Sequence, residues 1–253
     1  MGTLQIRTAN VTMLALELRG LSKNFAAIRV ANNISFNLPV GARHGLIGPN
    51  GAGKTTLVHL ISGLLRPSAG SISLLGADIT HLPPERRVAL GLARTFQITS
   101  LFPALTVAEN VGIALGARHG IDQQAWGSIL RRPDILDEAA ALLDQLGILA
   151  LASNSVSELP YGQRRLVEIA VVLALKPKVL LLDEPAAGLS SFDRVVLVEL
   201  LLRLPASLAV LIIEHDMSLI FRVAQRITVM LEGEILTEGS VAETRADPRV
   251  RDV

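Results

Sequence analysis

Gly48-Pro49-Asn50-Gly51-Ala52-Gly53-Lys54-Thr55-Thr56 fits the pattern G-x-x-x-x-G-K-S/T without a mismatch, and it constrains the fold more tightly than any other stretch. A polyphosphate presents many oxygens at close range. Only a backbone without β-carbons can wrap round it with its N–H groups pointing inward, which is the use of Gly48, Gly51 and Gly53. Lys54 brings a positive charge for the β- and γ-phosphates, and Thr55 a hydroxyl for Mg²⁺. A helix is predicted over residues 56–64, so its N-terminal dipole adds to the anion site. Leu46 and Ile47 end an apolar run that reads as a strand, which makes the unit strand, loop, helix.

With 253 residues, half of them hydrophobic, the chain has material for one large α/β domain or for a domain with a sizeable insertion. A net charge of +1 argues against a nucleic-acid partner held by general electrostatics. The absence of cysteine excludes disulfides and thiolate metal sites and fits the cytoplasm. Residues 1–11 lack the apolar core of a signal peptide, and residues 1–12 read as a flexible extension. The apolar stretches at 167–182 and 208–213 are interrupted by Lys176-Pro177-Lys178 or are too short to span a bilayer. Mean hydropathy is nevertheless +0.45. Either an interface with another protein is buried, or the composition is biased towards leucine and alanine; both readings stay open.

Along the chain, Met13 to Leu18 and Asn33 to Leu38 alternate apolar and polar side chains and read as strands. Phe25, between them, either packs in the sheet or stacks on a purine, and packing is the simpler reading. A turn at 39–42 leads into the strand that feeds the phosphate loop. Strands are predicted at 71–75 and 92–96, with a short helix at 84–90 between them. From 98 to about 172 the pattern is helical, a helical insertion within the α/β domain. Thr106 and Glu109 make a capping box. Residues 116–124 read as a loop, and Pro133-Asp134 opens a helix with a stripe of Ile135, Leu136, Ala139, Leu142, Leu143 and Leu146, stopped by Gly147. The apolar run 179–182 suits a central parallel strand buried on both faces. A helix at 191–204, a strand at 208–213, a hairpin at Glu232-Gly233 and a capping box at Ser240 and Glu243 complete the chain.

The run at 179–182 ends in Asp183-Glu184. Downstream of a phosphate loop, these acids form the second half of a nucleotide site. Asp183 would hold Mg²⁺, directly or through water, and Glu184 would polarise a water in line with the γ-phosphate. His215 follows the strand at 208–213, and in an open parallel sheet the C-terminal strand ends converge on the ligand crevice. A histidine there could hydrogen-bond the γ-phosphate, but a lone histidine is more often structural, so this role needs the wider pattern.

Leu159-Pro160-Tyr161-Gly162-Gln163 precedes the acidic strand and resembles the LSGGQ signature of ABC transporter ATPases. With the phosphate loop, Gln97, the acidic strand and His215, the set is ordered as in that family from residue 13 onward. Arg94 to Gln97, Tyr161 to Gln163, Asp183 to Leu189 and Glu214 to Met217 look like the ATP-binding subunits of branched-chain amino acid importers. The resemblance implies an α/β fold: a P-loop NTPase core with a mostly parallel sheet, an N-terminal antiparallel β subdomain and an inserted helical subdomain. It implies that Phe25 stacks on adenine beside Val30, which reverses the packing preference. By the same resemblance Gln97 senses Mg²⁺ and the γ-phosphate, His215 is the switch histidine and Glu184 the catalytic base. Subunits of the family pair head to tail, with ATP between the phosphate loop of one and residues 160–163 of the other.

Two positions depart from the family pattern. Pro160 replaces the signature serine, so the Gly162 N–H and the helix dipole must carry more of the γ-phosphate contact. Ser190 stands where an aspartate usually ends the loop after the acidic strand, which puts cross-dimer coupling through that position in doubt. The expected function is ATP hydrolysis powering a membrane importer, on the cytoplasmic face of the inner membrane. The expected partners are permease subunits, a second ATPase subunit (identical or paralogous) and, indirectly, a periplasmic binding protein. The alternatives are the ATPase of a lipid or lipopolysaccharide exporter, or a soluble ABC protein outside transport.

Overall fold

The computed structural model describes residues 13–26, 28–95, 101–121 and 132–251. Gln97 and the extension at 1–12 lie outside the described residues. The chain opens with β1 (Leu14–Phe25) and β2 (Ile28–Pro39), a hairpin longer than the two strands expected. The pairing shifts register between Leu18 and Leu21, where Gly20 has φ +58°. This bulge changes which face each side chain meets, so the alternation breaks although the strand continues. With β4 (Ala69–Leu74) and β5 (Ala77–Asp78) the hairpin forms a four-stranded antiparallel sheet in the order β2-β1-β4-β5.

The second sheet has six strands. They are β3 (Arg43–Ile47), β6 (Leu92–Arg94), β7 (Val179–Asp183), β8 (Ala209–Ile213), β9 (Arg226–Leu231) and β10 (Glu234–Ser240), in the order β10-β9-β3-β8-β7-β6. All pairs are parallel except β10 with β9. In β7, Leu180 and Leu182 face one hydrophobic core while Val179 and Leu181 face another. Both faces are covered, as the unbroken apolar run predicts.

On one face lies α1 (Lys54–Ser62), which buries Leu57, Val58, Leu60 and Ile61 between the two sheets. Arg87, in α2 (Pro84–Ala89), fixes its C-terminus. Its guanidinium is 1% exposed and donates to the carbonyls of Leu60 and Ile61, both at 2.7 Å, of Leu82 at 2.9 Å and of Thr80 at 3.0 Å. The orphan carbonyls at a helix end need such donors. Arg87→Met should destabilise the protein by about 3 kcal/mol, because buried carbonyls lose a charged donor. Urea unfolding measures this; a loss below about 1 kcal/mol would show that water replaces the guanidinium.

On the other face lie α3 (Val107–Arg118), α4 (Pro133–Gln145), α5 (Tyr161–Ala174), α6 (Ser191–Leu202) and α7 (Met217–Val223). The capping box of α3 is formed as expected, by Thr106 with Glu109. The loop expected from residue 116 begins later, because α3 continues to Arg118. Arg118 reaches the Ala174 carbonyl at 2.7 Å and Glu138 at 2.6 Å, and these tertiary contacts outweigh the glycine at 116. The described residues close with α8 (Val241–Ala246), which has its own capping box, and α9 (Pro248–Arg251).

His44 in β3 is 1% exposed and packs edge-on against Phe36 at 4.8 Å. Its Nε2 lies 2.8 Å from Thr228 Oγ1, which itself donates to Glu238, so Nε2 carries the proton. Burial pushes the imidazole down to about 4 from 6.5, against the pull of Glu238. The unfolded chain therefore takes up this proton near 6.5 and the folded chain near 4. Stability from this group is complete above the unfolded value. It declines as pH falls between the two, by up to about 3 kcal/mol. Unfolding free energies at pH 7 and pH 4.5 should differ by less in His44→Gln than in the parent. Equal differences would rule out His44 as the cause.

Candidate nucleotide site

The site forms where β3, β8 and β7 end side by side. Leu46 pairs with Ile213, and Ile213 with Asp183, so the phosphate loop and the acids leave the sheet from one row. Gly48 adopts φ +149°, and a β-carbon there would meet the Met230 carbonyl at 2.2 Å. Gly53 adopts φ +96°, and a β-carbon would meet the Val30 carbonyl at 2.6 Å. Only glycine lets the loop follow this path. The hairpin at Glu232-Gly233, with φ +49° and +81°, props the loop: Gly233 N donates to Ala52 O at 3.1 Å, and Asn32 N to Gly233 O at 2.8 Å. Pattern reading placed this hairpin but not its contact with the loop, because no local signal marks a contact across the sheet.

Helix α1 begins at Lys54, two residues before the expected start, so Thr55 and Thr56 stand in its first turn. Lys54 is 6% exposed, and its Nζ donates to Gly48 O at 2.7 Å and Pro49 O at 2.9 Å. Burial lowers its pKa, while Glu184 and Asp183 act to raise it. The ammonium is thus held at the centre of the loop and faces both acids electrostatically. Asn50 and Gly51 are the exposed tip of the loop, and Ala52 is buried.

Asp183 is buried, and its Oδ2 accepts from Arg94 Nη2 at 2.7 Å. Sequence reading placed Arg94 in a motif without assigning it this partner. Glu184 follows with φ +47°, a left-handed conformation costly for a side chain that carries a β-carbon. That turn sets its Oε1 3.3 Å from His215 Nε2. The bond from Glu184 N to Ile213 O at 2.9 Å secures it. Glu214 organises the neighbouring backbone. Its buried carboxylate accepts from Ala186 N at 2.7 Å, His215 N at 2.9 Å and Asp216 N at 3.2 Å. It is one residue before His215 in the sequence, and nothing in the sequence distinguished it from a solvated acid. Asp216 caps α7 through Ser218 N and Leu219 N.

Phe25 is 45% exposed with Lys23 Nζ 5.0 Å from its ring centroid, so the packing reading is overturned. It stands at the end of the β1–β2 hairpin, paired with Ile28, which is itself exposed. Val30 is half-buried. Pro160 is the N-cap of α5 and offers no side-chain hydrogen bond; the helix starts at Tyr161. Among the described residues, no hydrogen bond or ion pair joins 160–163 to the phosphate loop.

A phosphate loop on a parallel sheet, with an acid pair and a histidine at adjacent strand ends, defines a P-loop nucleotide-binding α/β protein. The model of the ABC transporter family matches residues 31–187. The chain is 36% identical over 244 residues to the high-affinity branched-chain amino acid transport ATP-binding protein LivG of Salmonella typhimurium, covering 93% of this chain and 95% of that one. It is 33% identical to BraF of Pseudomonas aeruginosa, a protein with the same description, over the same shares. The solved ADP conformation of MJ1267, an ATP-binding cassette of an ABC transporter, superposes with a TM-score of 0.80 at 28% identity, covering 95% of this chain and 98% of that one. The chain belongs to the ABC transporter family, as an ATP-binding and ATP-hydrolysing subunit.

Proposed function

We propose that this ATPase powers a membrane importer for branched-chain amino acids or related small polar or organic acids. The observation that carries the reading is likeness along nearly the whole chain to LivG and BraF, relatives described by that transport. No described helix is long and apolar enough to cross a membrane. The reading supplies the crossing through separate permease subunits and seats this chain against them on the cytoplasmic face of the inner membrane, with a periplasmic binding protein delivering the solute. The helices between about 98 and 172 form an inserted subdomain of one ATPase domain over 13–253.

Phe25 stacks on adenine beside Val30. Residues 48–56 wrap the phosphates, and Lys54 lies on the β- and γ-oxygens. Thr55 and Asp183 are the oxygen donors for Mg²⁺, with Gln97 assigned by resemblance alone. Among the described residues no cluster of acids or histidines cages a metal. A few hard oxygens beside a phosphate site suit Mg²⁺, which keeps most of its shell for water and phosphate. When bound it neutralises charge on the β- and γ-oxygens. Glu184 takes the proton of the attacking water, and His215, beside it, hydrogen-bonds the γ-phosphate. Residues 160–163 serve the ATP of a second ATPase subunit, so each site is completed across an interface.

Reconstitution in liposomes with the permease and binding protein tests the reading. ATP hydrolysis should rise on adding a branched-chain amino acid and remain at its resting rate with an unrelated sugar. Equal rates under both conditions overturn the substrate assignment.

A further inference from the structure

The start of α5 packs, within one subunit, against both the loop after β7 and the first turn of α6. A β-carbon on Gly162 would fall 2.3 Å from Asp193 Cγ, so the Asp193 carboxylate lies directly on the Gly162 backbone. Asp193 is held there by Ser190, whose Oγ donates to Oδ2 at 2.6 Å and accepts from Asp193 N at 3.1 Å. One residue earlier, the Tyr161 ring lies over Gly188, where a β-carbon would meet Cε1 at 3.2 Å. The same loop is fastened on its other side by Glu214 at Ala186. Capping of α6 accounts for the Ser190 bond to Asp193 N. It does not account for a carboxylate seated on a glycine of another helix.

We propose that Asp193, held by Ser190, and Tyr161 are positioning residues that lock residues 160–163 to the loop carrying Glu184. The inference rests on the paired-subunit reading above. The loop that holds Glu184 in one site then sets the geometry the same subunit presents to its partner's ATP. Ser190 thus acts inside its own subunit, and Tyr161 supplies a ring where the common signature has none.

The test is ATP-dependent dimerisation in the Glu184→Gln background, followed by sedimentation. Asp193→Ala should weaken dimerisation at least about fivefold, the scale of a coupling between sites. Affinity of the monomer for a fluorescent ATP analogue should change by less than about twofold, as for distant sites. Asp193→Asn keeps shape and hydrogen bonding and should restore dimerisation. Unchanged dimerisation in Asp193→Ala overturns the inference, and so does a parallel loss of monomer affinity and melting temperature. If Glu184→Gln alone forms no ATP dimer, the paired-subunit reading fails first and takes the inference with it.

Discussion

Glu184→Gln should lower the ATPase rate by about 10²- to 10⁴-fold, the usual contribution of a positioned general base. Affinity for ATP should stay within about threefold of the parent, since the phosphate loop is untouched. The geometry makes this the sharpest single substitution. Glutamine preserves the size of the side chain and the left-handed turn at φ +47°, and it can still approach His215 Nε2, 3.3 Å away in the parent. Only the capacity to take a proton is removed. With binding intact and hydrolysis stopped, ATP should hold two subunits together, visible as a doubling of mass by light scattering. Normal phosphate release in this variant would assign the base elsewhere.

Lys54→Ala should cost ATP affinity about 100-fold, measured by calorimetry. Charge-assisted hydrogen bonds are worth about 1.5–3 kcal/mol, and each 1.4 kcal/mol is tenfold in affinity. The side chain is already in place: its Nζ spans the carbonyls of Gly48 and Pro49 at 2.7 and 2.9 Å. Its removal takes the cation from the loop and leaves Asp183 and Glu184 facing the phosphates without it. Lys54→Arg should not restore binding, because a planar fork cannot replace a compact ammonium over two carbonyls. Binding within threefold of the parent in Lys54→Ala would show that the backbone N–H groups suffice.

The substitutions at Pro160 and Ser190 take on different weights in the structure. Pro160 starts α5 without a side-chain cap, because its ring carries no oxygen to accept from the N–H groups of the first turn. Ser190 caps α6 and holds Asp193. What looked like a missing cross-dimer aspartate is a local capping residue, a choice helix N-termini favour on their own account.

The phosphate loop, the buried strand with its acids, the capping boxes and the Glu232-Gly233 turn were legible because each depends on neighbours in sequence. A glycine path, a 2- or 3.6-residue period and a cap all leave their mark within a few residues. The β1–β2 hairpin was read short because the bulge near Gly20 shifts the alternation. The roles of Arg87, Arg94, Glu214 and Asp193 were not legible at all. Their partners lie across sheets and loops; an arginine looks the same in sequence whether it is solvated or caps buried carbonyls, and a carboxylate whether it is solvated or accepts from backbone N–H groups. The sequence by itself determined a glycine-rich loop at 48–56 between a strand and a helix, and an apolar strand that ends in Asp183 and Glu184. Only the tertiary structure decided how those residues are held: Lys54 on its own loop, Asp183 against Arg94, Glu184 beside His215, and the start of α5 clasped to the loop after β7. Long-range contacts set these positions, and a chain specifies them only once its strands have found their order.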